Sequence, residues 1–553
     1  MKRLVSCAES RELDESSRTL FGIDSLLLME KASLRMWDCL LRRIERSPKL
    51  GRKGRDLRIL ALCGKGDNGG DALAMLRHAR SAGFGKLAAI VSSLSLNSSV
   101  ALQMGFNRKA GIPCLRWAEI AEAERLRLYA EADLVLDGIV GSGVQGAARG
   151  EALEMIELTK SQRSSRSSGG PETGTAQPAQ PRSETVDGPL LVSVDIPSGL
   201  GDTWTEAFPA VWADMSLCLD PIKKICLAPA ARNHCGEILG VGDVFPGDLI
   251  EGAGATSLLE EQDLKGLMDR LAPDSYKMSR GRLGIFAGSL GSAGAALLCA
   301  KAASAAGAGY IYLFVDEALY PVVAGAAESF IVRSWSSQTE LPYCDAVLAG
   351  PGWGTGEDRI QALRSLGADE ERPLILDADA IRLLAKLPGL RDALACPVAL
   401  TPHPGEYSDL ANSLGTGVDD SYPRSIAGLA EGLNALMLAK SHTSWIMGKK
   451  ACYVWEGLTP ELGVAGSGDV LAGLFAGLLA RKIAGLKKSR KRESLSEQTI
   501  EGAWVVGAWA AVIAQGCDGR RLARRSGWFE ASQLIEACAQ VLHENETGEG
   551  KNS

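Results

Sequence analysis

The sequence predicts an α/β protein of two successive domains, each a parallel sheet covered by helices on both faces. Three observations predict it. From residue 57 onward, apolar runs of strand length alternate with stretches of helical period, the pattern of parallel sheets buried on both sides. Many of those runs end in Gly-rich or Asp-bearing loops, where a good part of the 63 glycines lies. The chain is 46% hydrophobic but only 5% aromatic, so its core is built from Ala, Leu, Val and Ile, which suits an α/β enzyme better than a β-sandwich. A length of 553 residues allows two to four domains at roughly 150 residues each.

In chain order, LRILALC (57–63) is the first buried strand. A Gly-rich turn follows, then the helix ALAMLRHARSA, whose Leu73, Leu76 and Ala79 share a face before Gly83 ends it. DLVLD (133–137) and LLVSVD (190–195) are further strands, both finishing on a carboxylate. Between them, residues 160–189 carry almost no apolar side chains and read as a disordered insertion. Little strand pattern occurs from Asp243 to Lys277, which places a domain boundary near residue 255 and domains at 1–250 and 260–545. The second series runs RLGIFAG (282–288), YIYLFV (310–315), DAVLAG (345–350), PLILDAD (373–379) and PVALTPHPGE (397–406). KKSRKRESLSEQ, from Lys487 to Gln498, reads as a basic surface loop between helices.

A net charge of −7 disfavours a general grip on nucleic acid or on a membrane surface. No apolar run is expected to reach the ~18 residues of a membrane span, since Lys301 interrupts the longest small-residue stretch. The N-terminus MKRLVSCAESRELDE lacks an apolar signal core, and the thirteen cysteines are scattered singly, so a reduced cytoplasm is the expected compartment. Without C-x-x-C or H-E-x-x-H, a zinc site has no support.

Two constellations carry chemistry. GKGDNGGD, residues 64–71, sits between a strand and a helix whose N-terminal amides favour a nearby phosphate. Gly64, Gly66 and Gly69 spell G-x-G-x-x-G, yet a dehydrogenase needs an acidic residue about 20 positions on, and none occurs between Asp71 and Glu119. Asp137 and Asp195 end two further strands, followed by GIVGSGVQGA and IPSG. Oxygen donors from these residues, Asn68 and Ser198 suit a hard cation, with Asp195 free for proton transfer. In the second half, AGSGDV precedes an apolar helix carrying Leu471, Leu474, Phe475, Leu478 and Leu479. Gly466, Ser467 and Gly468 offer an anion hole at its mouth, and Asp469 stands beside it as a base, the pairing that phosphoryl transfer to a hydroxyl requires. Asp377 and Asp379 follow one strand, and His403 and Glu406 another, His403 on a rigid Pro402–Pro404–Gly405 turn suited to a planar ring or phosphate. No Walker loop or G-x-S-x-G elbow occurs.

The motifs GKGDNGGD, DGIVGSGVQG, VDIPSGL and WADMSLCLDPIKK resemble the epimerase domain of NAD(P)H-hydrate repair enzymes, a Rossmann-like three-layer fold. SYKMSRGRLGIFAGS, GSAGAA, AGPGWG, LDADA, LTPHPGE and AGSGDVLAG resemble the ribokinase-like α/β dehydratase partner of that system. The resemblance implies epimerisation of the R and S hydrates of NADH and NADPH, then phosphorylation of the S hydrate's ring hydroxyl so that phosphate can leave. It implies ADP as co-substrate, as in the bacterial type, with ATP the eukaryotic alternative, together with K+ and Mg2+ and a homo-oligomeric state. Substrate contacts implied in the first domain are Asp67, Asn68, Gly69, Gly70, Asp71, the loop of Gly141, Ser142, Gly143, Val144, Gln145, Gly146 and Ala147, and Asp195 at the ring. Potassium falls to Asn68, Asp137 and Ser198. In the second, Ala295, Gly352 and His403 are implied to meet the hydrate, Lys440, Ser441, His442, Thr443, Ser444 and Gly468 the nucleotide, and Asp469 to act as base. The chain departs from the family pattern at Asp67, Ala72, Tyr276 and Ser441, and in the stretch WEGLTPELGVA. A small-alcohol kinase fused to a nucleotide-binding module, or a first domain serving as a non-catalytic scaffold, are the alternatives.

Overall fold

The computed structural model describes residues 1–164, 188–336, 339–415, 424–449, 452–489 and 495–547. Most of the solvated insertion and the centre of the basic run lie outside them. The insertion begins later than its composition suggested, because a helix runs through Glu151–Ser164. Two compact units appear, one from Arg3 to Thr256 and one from Ser257 onward.

The first unit holds a seven-stranded parallel sheet: β1 (Arg58–Cys63), β2 (Lys86–Val91), β3 (Cys114–Arg116), β4 (Leu134–Gly138), β5 (Leu190–Val194), β6 (Met215–Leu219) and β7 (Glu237–Val241), in the order β3-β2-β1-β4-β5-β6-β7. Strand order reverses between β1 and β4, the switch point at which a ligand crevice forms beyond the carboxyl ends. Helix α1 (Cys7–Phe21) starts at a Ser6/Glu9 capping box and stops at Gly22 in the left-handed conformation. Helix α2 (Ser25–Arg46) buries Leu28, Ala32, Met36 and Leu40 at i+4 spacing and packs on α3 (Asp67–Ser81). Here the sequence reading is corrected: α3 begins at Asp67, so DNGGD forms its first turn instead of a loop before it. Gly64 is what allows this, since a Cβ there would stand 1.8 Å from the Ile139 carbonyl oxygen.

Strands of the second unit are β8 (Arg282–Phe286), β9 (Tyr310–Val315), β10 (Ile331–Ser334), β11 (Ala346–Ala349), β12 (Leu374–Leu376), β13 (Val398–Leu400), β14 (Ala435–Ala439), β15 (Thr443–Met447) and β16 (Cys452–Glu456). They order as β10-β9-β8-β11-β12-β13-β14-β15-β16. Pairing is parallel as far as β14 but antiparallel from β14 through β16, which corrects the wholly parallel expectation. Two tight hairpins cause the change, because a short connection cannot return a strand in the parallel sense.

Helix α4 (Ala293–Ala305), with the sequence AGAALLCAKAASA, packs on α7 (Ser467–Ser489), and small side chains let the two backbones nearly touch. A Cβ at Gly473 would stand 2.4 Å from the Cys299 carbonyl oxygen and 2.9 Å from the Ala302 Cβ. This close seam seats the N-terminus of α7 above the strand ends. We expect Gly473→Ala to cost about 1–3 kcal/mol through overpacking, read as a lower thermal midpoint, and to reduce the activity of Asp469. Helix α8 (Glu497–Ser526) is long and apolar enough to cross a membrane, contrary to the expectation that no segment reaches that length. Most of its apolar window is instead buried, with Trp504, Ala508, Val512 and Ile513 in the core of the unit.

Candidate active sites

In the first unit, a cavity of about 640 Å³ opens at the switch point. Asp67, Asn68, Asp71, Gly141, Ser142, Gly143, Val144 and Asp195 all line it. Gly69 and Gly70 do not: they sit buried in the first turn of α3, under Gly64 and against Met29. Gln145, Gly146 and Ala147 also lie away from the lining, and the Gly146 N–H donates to Thr203 Oγ1 at 3.0 Å. Asp195, 8% exposed and at φ +65°, accepts from the Leu219 N–H at 3.1 Å and from Lys223 Nζ at 2.5 Å. Burial alone would lower the Lys223 pKa, but the charge and hydrogen bond of Asp195 more than offset it, so the ammonium is held above its ordinary value. Behind the cavity, Asp137 is fully buried and accepts from Ser193 Oγ at 2.7 Å and from both the N–H and Oγ of Ser198. Ser198 Oγ in turn accepts from the Val140 N–H at 2.8 Å, and Asn68 lies against Gly141 of the same loop. The structure thus draws Asn68, Asp137 and Ser198 around one turn. Burial raises the Asp137 pKa against the pull of these donors.

In the second unit, the carboxyl ends of β8, β11, β12, β13 and β14 meet the N-terminus of α7. Asp377, 1% exposed, accepts from Thr401 Oγ1 at 2.7 Å and from Lys440 Nζ at 2.6 Å. That ammonium lies 3.6 Å from where a Cβ on Gly468 would be. Asp469 is in the first turn of α7, its carbonyl accepting from Cys299 Sγ, while Gln515 Nε2 donates to the Ser467 carbonyl at 2.7 Å. Burial first, then the neighbouring Asp377, pushes the Asp469 pKa up to about 6, with Lys440 opposing. Ala295 and Gly352 are brought together, the Ala295 Cβ standing 3.1 Å from a Cβ built on Gly352. Asp379, in the first turn of α5 (Ala378–Lys386), accepts from the Gly354 N–H at 2.8 Å.

His403 is the N-cap of α6 (Pro404–Ser413): its Nδ1 accepts from the Gly405 and Glu406 N–H groups, and Nε2 lies 3.2 Å from Glu406 Oε1. That ring is oriented by its own helix, leaving only its exposed edge for a ligand. Of 440–444, Lys440, Ser441 and His442 form the turn between β14 and β15, whereas Thr443 and Ser444 begin β15 and are buried. Lys223, Asp14 and Thr401 were missed. Lys223 was visible as a lysine ending the apolar MSLCLDPIK, whereas no local signal marks Asp14 or Thr401, which the fold brings in from distant parts of the chain.

Two sites at strand ends, one with an Asp–Lys pair in a crevice and one with an Asp at a helix mouth beside a lysine, are the arrangement of a two-headed α/β enzyme. Family models match twice, "YjeF-related protein N-terminus" over residues 25–225 and "NAD(P)H-hydrate dehydratase" over 283–519. A bifunctional NAD(P)H-hydrate repair enzyme of Thermosynechococcus vestitus is 30% identical over 444 residues, covering 77% of this chain and 80% of its own. Its counterpart in Methanopyrus kandleri is 26% identical over 97% of this chain and 96% of its own. An ADP/ATP-dependent NAD(P)H-hydrate dehydratase of Bacillus subtilis, crystallised with ATP and Mg2+, superposes with a TM-score of 0.43 at 22% identity, over 52% of this chain and 99% of that one. The chain belongs to the bifunctional NAD(P)H-hydrate repair enzymes, epimerase and dehydratase in one polypeptide.

Proposed function

We propose that the unit Arg3–Thr256 epimerises the R and S hydrates of NADH and NADPH at Asp195, and that the unit from Ser257 onward dehydrates the S hydrate at the expense of ADP. What supports this division above all is that each unit carries its own acid–base group at a strand-end site. In the second unit, the amides of Gly466 and Gly468 hold the charge that develops on the transferred phosphoryl group, the Ser467 N–H being given to the Val464 carbonyl, and Lys440, oriented by Asp377, adds a cation beside them. Asp469 takes the proton of the ring hydroxyl. Phosphate then departs where hydroxide could not, pushed out by the ring nitrogen's lone pair, and loss of a proton from the adjacent ring carbon to solvent restores the double bond of the reduced ring. Mg2+ would accompany the nucleotide phosphates, as such ions commonly do. Cytoplasmic residence is part of the proposal, supported by thirteen free cysteines, twelve of them buried.

Potassium fits the first unit on the chemistry of its donors. The Asp137 carboxylate, the Ser198 hydroxyl and the Asn68 amide oxygen are hard ligands, and Asp137 is buried among hydroxyl and amide donors rather than against a Lys or Arg among the described residues. When bound, the cation supplies positive charge that keeps Asp137 ionised and ties the 138–141 loop to Ser198 and Asn68. Replacing potassium by lithium is expected to slow epimerisation, followed by chromatographic separation of the epimers; equal rates in the two salts would remove potassium from the account.

A further inference from the structure

We propose that Asp14, on α1, is a catalytic residue of the epimerase centre, working opposite Asp195 as the second proton carrier on the hydrated ring. The proposal rests on the reading of Asp195 as the residue at the ring. Asp14 lines the same cavity as Asp195, Asp71 and Lys223, although it comes from a helix far from them in sequence. That helix is held firmly. The N–H groups of Cys7 and Ala8 donate to the two carboxylate oxygens of Asp202 at 2.8 and 3.0 Å, and Glu9 pairs with Lys224 at 2.9 Å. Cys7, Ser10, Leu13 and Ser17 are buried along one face of the helix, and Asp14 and Arg18, exposed beside it, line the cavity. Independently, the cavity wall leaves polar atoms unmet: Asn68, 8% exposed, has an Nδ2 with no partner, and Asp71 has a buried Oδ1 with none. Unmet donors and acceptors of this kind point to a polar ligand lying between α1 and α3.

The two carboxyl groups sit in unlike surroundings. Asp195 accepts from Lys223 Nζ at 2.5 Å and from the Leu219 N–H at 3.1 Å, whereas Asp14 makes no ion pair among the described residues. Facing it are Arg11, Glu15 and Arg18 on its own helix, Asp67 and Asp71 on α3, and Lys65 in the turn before α3. Asp195, Lys223 and Arg149 complete the charged wall. Its side chain stays accessible from the cavity, yet the protein crowded around it, with Asp195 and Asp67, pushes its pKa up to about 6, Lys223 and Arg18 opposing. Such divergent environments separate an acid from a base.

Hydration of an enamine puts the hydroxyl on the carbon next to the ring nitrogen. Asp14 gives its proton to that hydroxyl oxygen, the C–O bond breaks with its electron pair leaving on water, and the nitrogen lone pair forms the C=N bond. Water then adds to the other face; its C–O bond forms as the C=N pair returns to nitrogen, and Asp195 takes its proton. One forward turnover leaves Asp14 without its proton and Asp195 with one; exchange of protons with solvent water resets the pair, so no further reactant is consumed.

The test uses the full chain without nucleotide, so that only epimerisation runs, and follows conversion of the R hydrate to the S hydrate by chromatography. Asp14→Asn is expected to lower the rate on the order of 100-fold or more. Wild-type activity should fall as pH rises through about 6, where Asp14 loses its proton; the residual activity of Asp14→Asn should lack that limb, and Asp14→Glu should restore part of both rate and limb. A structural role for Asp14 would change the rate of Asp14→Asn without removing the limb. Wild-type rate and limb in Asp14→Asn, with Asp195→Asn inactive, overturn the proposal and leave the Asp195 reading intact. Wild-type rates in both variants overturn that reading as well.

Discussion

Asp469→Asn is expected to abolish ADP-dependent recovery of the reduced nicotinamide, by a factor on the order of 100 to 10,000, while R and S hydrates still interconvert at the wild-type rate. The amide keeps the shape of the carboxyl and its place in the first turn of α7, but it cannot accept the hydroxyl proton. Lys440, Asp377 and the helix amides remain, so nucleotide affinity should change little and the loss should fall on kcat. The same assignment sets the pH dependence. A base whose pKa stands at about 6 must be ionised to work, so wild-type dehydration should decline as pH falls through about 6. Recovery at the wild-type rate in Asp469→Asn would show that another group takes the proton.

Asp195→Asn should leave dehydration intact and stop recovery at the S fraction of a mixed hydrate preparation. An asparagine oxygen can still accept from Lys223 and from the Leu219 N–H, so the cavity keeps its shape while the carboxylate is lost. Lys223→Met is a harsher change: it strands a largely buried carboxylate without its cation, a loss worth about 3–5 kcal/mol in comparable buried pairs. With excess ADP, the measured quantity is the plateau of absorbance at the reduced-ring band. Full recovery in Asp195→Asn would place epimerisation elsewhere.

Much of this architecture is legible in the residues because it is local. The strand Tyr310–Val315 was read at its exact bounds, since six consecutive β-formers between a Gly pair and an Asp leave no other element. Asp137 and Asp195 are legible because apolar runs stop at them, and Asp469 because a Gly-rich turn and an apolar helix meet at it. The beginning of α3 was misread, because glycine signals a turn, and only the close passage of Ile139 over Gly64 makes DNGGD helical. His403 carries two signals at once: a polar residue before Pro-Gly-Glu is a capping signal as well as a ligand signal, and here the cap is made while an edge of the ring stays exposed. Partnerships across the sheet, Asp195 with Lys223 and Asp377 with Lys440, depend on which strands lie side by side, which no single stretch of sequence states.

The central claim, two complementary activities in one chain, is tested most directly by a single progress curve. Purified protein is incubated with a mixture of R and S hydrates of NADH, ADP and Mg2+ are added, and the return of reduced-nicotinamide absorbance is followed to its end point. The account predicts recovery of the whole hydrate pool, the R fraction included, with no other protein present. A plateau at the S fraction would contradict the epimerase half, and no recovery with either ADP or ATP would contradict the dehydratase half.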